Sequence, residues 1–209
     1  MFIGHFAVGL AGRRLTPRVS LPVWFAAAQL LDILWPILLL AGVEHVRIAP
    51  GTTAFTPLDF YDYPISHSLV GAIVWGALAA VLWHLFGGRR GGALLLFGGV
   101  LSHWVLDVIA HRPDMPVLPH GQYVGLGLWN SVALTLMVEI TTFAAGIFIY
   151  ARAARPRRSF WALMIVLLLV YLAAAFGPPP PNVTAIAWTS LTGVALILVW
   201  AWWTDRART

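Results

Sequence analysis

The segment GGALLLFGGVLSHWVLDVIAH, residues 91–111, decides the fold class because it is long and apolar yet contains ionisable side chains. A bilayer core of about 30 Å requires roughly 20 apolar residues in helical form, which this segment supplies. A charged side chain at the bilayer centre costs at least about 2.5 kcal/mol, so His103 and Asp107 require partners. The segment therefore predicts a membrane helix with one polar face directed into a helical bundle.

The composition of the whole chain agrees with a membrane protein. Its 209 residues are 60% hydrophobic and 10% charged, and the mean hydropathy is +0.82, whereas a soluble domain has about 25% charged residues. These values exclude a soluble globular enzyme, a disordered protein and a conventional nucleic-acid binder, despite the net charge of +5. Because cysteine is absent, any metal ligands must come from His, Asp and Glu.

Six apolar segments are long enough to span a bilayer. We predict an all-α polytopic bundle that forms a single integral membrane domain over residues 1–209, with a metal-site part at 1–150 and two further helices at 159–203. A short apolar stretch, residues 1–12, is too short to cross and predicts a half-membrane helix. The predicted spans are residues 21–43, 68–86, 91–111, 124–150, 159–176 and 183–203.

Arginine placement predicts the orientation of these spans, because short loops rich in Arg stay in the cytoplasm. With six spans, both termini face the cytoplasm of a bacterial inner membrane, and Arg47 and Arg112 are the cations on the outer side. We consider these two residues as candidates for binding an anionic substrate. The predicted cytoplasmic arginines are Arg13, Arg14, Arg18, Arg89, Arg90, Arg152, Arg155, Arg157, Arg158, Arg206 and Arg208.

Ionisable residues from several segments are predicted to lie at similar depths. A helical rise of about 1.5 Å per residue puts them in the middle and outer half of the bilayer. Groups at one depth avoid the cost of facing lipid by pairing with one another. These residues are His5, Asp32, His67, His103, Asp107 and Glu139.

The third span carries its ionisable residues on one face. His103, Asp107 and His111 are spaced four apart, so a continuous helix would align all three. Helical bundles commonly build metal sites from such facing side chains. Imidazole and carboxylate ligands without Cys suit Zn²⁺ or Mn²⁺, so we predict a divalent-metal site here.

The residues Gly4-His5, Asp32-Ile33, Ser66-His67-Ser68 and Ser102-His103 with Asp107 resemble a known family. The chain is similar to the predicted membrane-bound metal-dependent hydrolases, also described as LexA-binding, inner-membrane-associated hydrolases. This resemblance covers roughly the first 115 residues. The order of the ligands is also similar, by spacing only, to that of the zinc-dependent phospholipases C.

The resemblance implies that the metal is held by His5, Asp32, His67, His103 and Asp107, and it makes His111 and Glu139 candidates for a further ion. Where the family usually has further His and Asp residues, this chain reads Asp32-Ile33-Leu34-Trp35 and Asp62 to Ser68. Asp62 is the candidate that could replace one of the ligands.

These features favour a metal-dependent hydrolase that acts on an ester or phosphoester of a lipid or lipid-linked substrate. A bound divalent ion would activate water, with Asp32 as the first candidate for the base and Asp62 as the second. Two alternatives stay open at this point. One is a transporter or proton relay, since intramembrane His, Asp and Glu also mark ion paths. The other is a non-catalytic assembly or regulatory protein with a structural metal.

Overall fold

A computed structural model of the chain describes residues 1–154 and 156–206. Arg155 and Arg208, two of the predicted cytoplasmic arginines, lie outside these residues. The described chain is predominantly helical, as predicted for an all-α bundle. Its helices are α1 Ile3–Leu15, α2 Leu21–Ala28, α3 Leu30–Leu40, α4 Pro64–His67, α5 Leu69–Leu85, α6 Arg90–Ala110, α7 Val132–Ala153, α8 Arg158–Phe176 and α9 Val183–Arg206.

Two short antiparallel strand pairs occur in the connections between helices. Strand β1, His45–Ile48, pairs with β2, Leu58–Asp62. Strand β3, Met115–Pro116, pairs with β4, Tyr123–Val124. The first pair lies between α3 and α4, and the second lies between α6 and α7.

Four of the described helices, α6, α7, α8 and α9, are long and apolar enough to cross a membrane. Helices α2 and α3 satisfy the same test together, as one span bent by 57°. Helix α5 has 17 residues, which is at the lower limit for a span. All six predicted segments thus contain helices, but the first is broken rather than continuous.

The predicted start of the fourth span was wrong by about two turns. Residues 124–131 form the end of β4 and a 3₁₀ turn, Leu128–Asn130, and α7 begins only at Val132. Gly127 adopts a positive φ of 73°, which glycine accepts without strain. Because a right-handed helix requires a negative φ, no helix passes through this residue. The side chain of Ser131 then accepts a hydrogen bond from the backbone of Leu134 and caps α7.

Helix α1 lies in the centre of the bundle. Its residues Ile3, Phe6 and Leu10 are fully buried and belong to a hydrophobic core that includes Phe25 of α2 and Leu163 of α8. Helix α7 approaches α1 closely at a glycine: a Cβ added to Gly146 would lie 2.7 Å from Ala7 Cα. Small residues at such contacts allow membrane helices to approach one another. This packing fixes the depth of α1 and hence of His5.

Candidate metal centre

Five ionisable side chains from four helices converge inside the bundle. They form two overlapping groups that share His103, and within each group the potential ligand atoms lie within 4.8 Å of one another. We call these five residues the buried cluster: His5 of α1, Asp32 of α3, His67 of α4, and His103 and Asp107 of α6.

The first group is organised around Asp107. Its Oδ1 lies 3.1 Å from His5 Nε2, and its Oδ2 lies 3.1 Å from His103 Nε2. The two imidazole rings are stacked with centroids 3.6 Å apart and planes within 4° of parallel. The α-amino group of Met1 also contacts Asp107 Oδ1. Both oxygens of this buried carboxylate are therefore directed towards the histidine pair or a cation.

The second group connects Asp32 and His67 to the same histidine. Asp32 Oδ1 lies 3.5 Å from His67 Nε2 and 3.7 Å from His103 Nε2. His67 Nε2 is also 3.8 Å from Asp107 Oδ2, so both carboxylates approach the same imidazoles. The two groups consequently form one compact set of nitrogen and oxygen atoms.

The buried cluster fits a divalent cation. His103 Nε2 is buried and lies 3.1 Å from Asp107 Oδ2 and 3.7 Å from Asp32 Oδ1, without hydrogen-bond geometry to any atom of the described residues. Ligand atoms about 2.1 Å from one tetrahedral ion lie roughly 3.4 Å from one another, which is close to the separations of 3.1 and 3.5 Å found here. Nitrogen and oxygen donors without sulfur suit zinc or manganese.

The orientation of His103 depends on the break in the first span. Gln29 leaves helical geometry between α2 and α3, with φ −105° and ψ 10°. The last carbonyls of a helix lack partners within it, and the carbonyl of Ala28 lies 2.8 Å from His103 Nδ1. Because Nδ1 donates to this carbonyl, the Nε2 lone pair is directed into the buried cluster.

His67 is oriented by a second polar chain. Its Nδ1 lies 2.7 Å from Ser66 Oγ, and this hydroxyl lies 2.6 Å from Glu44 Oε2. The other carboxylate oxygen of Glu44 accepts hydrogen bonds from the backbone of Ile65 and Ser66, each at 2.7 Å. Glu44 therefore fixes both the start of α4 and the hydroxyl that holds the imidazole.

The buried cluster borders a cavity of about 360 Å³. The side chain of Asp107 is only 4% exposed, whereas that of Asp32 is 34% exposed and faces this cavity. The remaining lining is mainly apolar, with residues from α1, α8, α9 and the outer loops. Asp32 is thus the acid of the cluster that is most accessible to a molecule in the cavity.

His111 does not continue the helical stripe of His103 and Asp107. Helix α6 ends at Ala110, and His111 has extended backbone geometry, with φ −69° and ψ 151°. Pro113 disfavours helical geometry at Arg112, the residue before it, so α6 could not have continued past His111. His111 Nδ1 lies 3.0 Å from Asp114 Oδ1 instead, and the ring borders the cavity.

Tyr63 joins this neighbouring polar group. Its hydroxyl donates to the carbonyl of Asp114 at 3.1 Å and lies 3.3 Å from His111 Nδ1. Burial, reinforced by the Asp114 carboxylate, raises the pKa of Tyr63 well above its ordinary value. The neutral phenol is therefore a hydrogen-bond donor at the edge of the cavity.

Glu139 lies beside the start of α1 rather than within the two metal-binding groups of the described chain. Its Oε2 accepts hydrogen bonds from the backbone of Phe2 at 2.8 Å and of Gly4 at 3.4 Å. A carboxylate at this position complements the positive end of the α1 dipole. Glu139 therefore anchors the helix that carries His5, and its predicted role as a ligand for a further ion stays a prediction.

The remaining predicted site residues belong to a group of ion pairs formed by His45, Arg47, Asp59, Asp62 and Arg112, which we call the outer ion-pair group after the predicted orientation. Arg112 Nε also donates to Asp114 Oδ2 at 3.0 Å, so this group adjoins the polar group of Tyr63 and His111. Asp62 Oδ2 is 2.7 Å from His45 Nδ1. Asp59 Oδ2 is 2.6 Å from Arg47 Nη2, and Asp59 Oδ1 contacts Arg112. The described residues that line the cavity do not include Arg47, Asp62 or Arg112, so their predicted roles as base and substrate-binding residues stay predictions.

Comparison with known proteins identifies the family. A family model described as YdjM inner membrane protein matches residues 1–178. The chain belongs to the YdjM inner membrane protein family. This match extends beyond the first 115 residues on which the sequence resemblance rests. No curated protein and no solved structure shows significant similarity to the chain.

The YdjM family match includes all of the buried cluster and helices α1 to α8. Helix α9, which begins at Val183, lies beyond it. The family description and the apolar helices together show a membrane protein. The metal-binding potential of this YdjM family member rests on its own geometry.

Sequence reasoning missed the residues that orient the histidines. Ser66 had a local signal, since it directly precedes His67 in the segment that carries the family resemblance. Glu44 had none, because it is 22 positions from Ser66 and only the fold brings the two together. The role of the Ala28 carbonyl also could not be predicted, because every type of residue has a backbone carbonyl and the sequence does not mark the helix break.

Proposed function

We propose that this protein is a metal-dependent hydrolase of the bacterial inner membrane that cleaves an ester or phosphoester of a lipid or lipid-linked substrate. The observation that carries the proposal is the buried cluster, in which five His and Asp side chains converge and three of them, Asp32, His67 and Asp107, border a cavity inside the bundle. Perturbed or unpaired ionisable groups beside a cavity are typical of an active site.

The residues of the buried cluster have two proposed roles, which are metal binding and acceptance of a proton from water. His5, His67 and His103 would hold the ion through Nε2, with Asp107 between the imidazoles and Asp32 on the cavity side. A divalent ion supplies such a site with a Lewis acid and lowers the pKa of its water ligand to about 7. Zinc is our first choice for the ion and manganese the second, given the nitrogen and oxygen donors.

Asp32 is our candidate for the catalytic base. Its Oδ1 faces the imidazoles of His67 and His103, and the carboxylate is the more exposed of the two in the cluster. Oδ2 would accept the proton of the attacking water. A carboxylate positioned in this way contributes roughly 10²-fold or more to the rate.

The location of the cluster supports a lipid substrate. His103 and Asp107 belong to a membrane helix, so a reacting bond beside them lies below the membrane surface. We propose that both termini face the cytoplasm and that the site opens in the outer half of the bilayer. The support for this orientation is the concentration of arginines in the predicted inner loops.

Hydrolysis in reconstituted vesicles tests the proposal. The protein would be loaded with zinc in vesicles of phosphatidylethanolamine, phosphatidylglycerol and undecaprenyl phosphate, and the products identified by mass spectrometry. We expect one lipid to be cleaved, and Asp32→Asn to reduce the rate by roughly 10²-fold or more. His45→Ala, in the exposed pair with Asp62, is the control and should retain activity.

Three outcomes would contradict this assignment. If zinc-loaded wild type releases no product from any of these lipids, the hydrolase proposal fails. If Asp62→Asn abolishes cleavage while Asp32→Asn does not, the base is wrongly assigned. Ion flux across the vesicle membrane without lipid cleavage would favour the transporter alternative.

A further inference from the structure

The cavity beside the buried cluster has a polar end and a long apolar wall. Asp32, His67 and Asp107 border the polar end. The apolar wall is formed by helices α8 and α9 together with aromatic side chains such as Phe6, Phe55 and Phe60. A volume of about 360 Å³ lies within the usual range of small-molecule sites. The hydrolase proposal alone requires only the polar end.

The α9 side of the cavity runs along the helix axis. Its residues Ile186, Ser190, Gly193 and Ile197 recur three or four positions apart and therefore share one face. Eleven positions separate Ile186 from Ile197, which corresponds to about 16 Å of helical rise. The cavity is therefore elongated in the direction in which the membrane helix runs.

The α8 side of the cavity reaches the outer surface of the bundle. Val170 and Ala174 border the cavity and are themselves exposed, Val170 by 46%. Both residues belong to a helix that is apolar enough to cross a membrane. In a bilayer this exposed apolar surface contacts lipid, so the cavity communicates with the hydrocarbon region between α8 and α9.

Gly193 leaves part of this volume free. A Cβ added there would meet no atom within 4 Å, although the residue lines the cavity. Besides the residues of its polar end, the cavity is lined by the polar residues Glu139, Thr189 and Ser190, but most of its lining is apolar. A flexible hydrocarbon chain is the occupant that matches both the shape and the surroundings.

We propose that the cavity between α8 and α9 binds the hydrocarbon chain of a membrane lipid and places the lipid's polar end beside Asp32. The chain would enter laterally from the bilayer past Val170 and Ala174 and lie along the Gly193 face of α9. Binding of the hydrocarbon chain does not require hydrolysis. Only the placement of a scissile bond beside Asp32 rests on the proposed function.

Photolabelling in vesicles tests chain binding without requiring hydrolysis. Two probes would be used: a phosphatidylglycerol with a diazirine in its acyl chain, and an isoprenyl phosphate with a diazirine near the end of its chain. We expect one probe to label the cavity residues Tyr171 and Val194 in excess of the outward-facing Leu169 and Val199, which are exposed on the same helices. The probe that succeeds distinguishes acyl from isoprenyl chains.

A variant that fills the cavity sharpens the test. Gly193→Phe should reduce labelling of Tyr171 and Val194 several-fold and leave labelling of Leu169 unchanged. Gly98→Phe is the matched control, because Gly98 lies on α6, is exposed and also has no neighbour within 4 Å of an added Cβ. It should leave both sets of labels unchanged.

The proposal is overturned if neither probe enriches labels at the cavity, or if Gly193→Phe leaves cavity labelling at the wild-type level. Failure of the proposed function gives a different result, since cavity labelling would persist in zinc-loaded protein that cleaves no lipid. Cleavage of a short-chain phosphoester without cavity labelling would support the hydrolase and refute the chain site.

Discussion

The buried cluster and the outer ion-pair group both contain acidic and basic side chains, but these side chains have different partners in the two regions. In the outer group each acid contacts a basic side chain: Asp62 lies 2.7 Å from His45, and Asp59 lies 2.6 Å from Arg47 and also contacts Arg112. In the buried cluster three imidazoles and two carboxylates meet without an arginine. The α-amino group of Met1 contacts Asp107, whereas Asp32 contacts imidazoles.

The difference shows what each region requires. The pair of His45 and Asp62 is exposed and solvated, so it contributes little and needs no further partner. The buried carboxylate of Asp59 is paired with two arginines. Buried carboxylates are costly unless they are paired or coordinate a metal. The contacts from Ala28 and Ser66 also fix the Nδ1 atoms of His103 and His67 and leave their Nε2 atoms directed into the buried cluster, as is usual for metal-ligating histidines. The buried cluster is thus built to bind a cation, whereas the outer group is complete without one.

The largest expected effect separates the two regions by zinc-dependent stability. Zinc at about a thousandfold above its dissociation constant stabilises a protein by roughly 4 kcal/mol. We expect zinc to raise the unfolding temperature of detergent-solubilised wild type and of His45→Ala, and to have little effect on His103→Ala. Thermal unfolding with and without zinc measures this. An equal zinc-dependent rise in His103→Ala would contradict the assignment of His103.

A smaller effect is expected from the contact that orients His67. Ser66→Ala removes the hydroxyl between His67 Nδ1 and Glu44, and loss of such an outer-shell partner lowers metal affinity about 10- to 100-fold. Competition with a chromophoric chelator measures the affinity. Thr53→Ala is the control, because its hydroxyl bonds only within the outer loop, and it should bind as wild type does. Equal affinity in Ser66→Ala would show that the imidazole is held by packing alone.

The smallest effect is expected in the outer ion-pair group. The side chain of Arg47 is 64% exposed, so Arg47→Ala should cost less than about 1 kcal/mol of unfolding free energy and leave zinc affinity unchanged. Chemical denaturation and the same chelator titration test both points. A marked loss of zinc affinity would connect the outer group to the metal site and remove the distinction between the two regions.

Predictions from the sequence succeeded where the signal lay within one segment and where exposing the side chain to lipid would cost much free energy. Polar side chains in apolar segments are costly in contact with lipid, so depth predicted that His5, Asp32, His67, His103, Asp107 and Glu139 would pair with one another. The structure brings the first five together, whereas Glu139 lies beside the start of α1. The helical segments could also be predicted from the sequence, because the bilayer sets their length and hydropathy. The roles of the five residues stay predictions until a metal is measured.

Sequence reasoning failed where geometry depends on distant partners or on single backbone angles. The break at Gln29 is not marked by glycine or proline, yet it supplies the carbonyl that holds His103. His111 was extrapolated along α6 past Ala110, where the helix ends shortly before Pro113. The cavity along α9 could not be predicted from the sequence either, because the role of Gly193 depends on the open space that the fold leaves beside it.

The most direct test of the account is the metal content of the purified protein. Elemental analysis would compare detergent-purified wild type with His103→Ala, and with His45→Ala from the outer ion-pair group, all prepared in metal-replete medium. We predict at least about one equivalent of zinc or manganese in wild type and His45→Ala, and a substoichiometric amount in His103→Ala. Metal-poor wild type, or equal metal in all three proteins, would contradict a shared cation in the buried cluster.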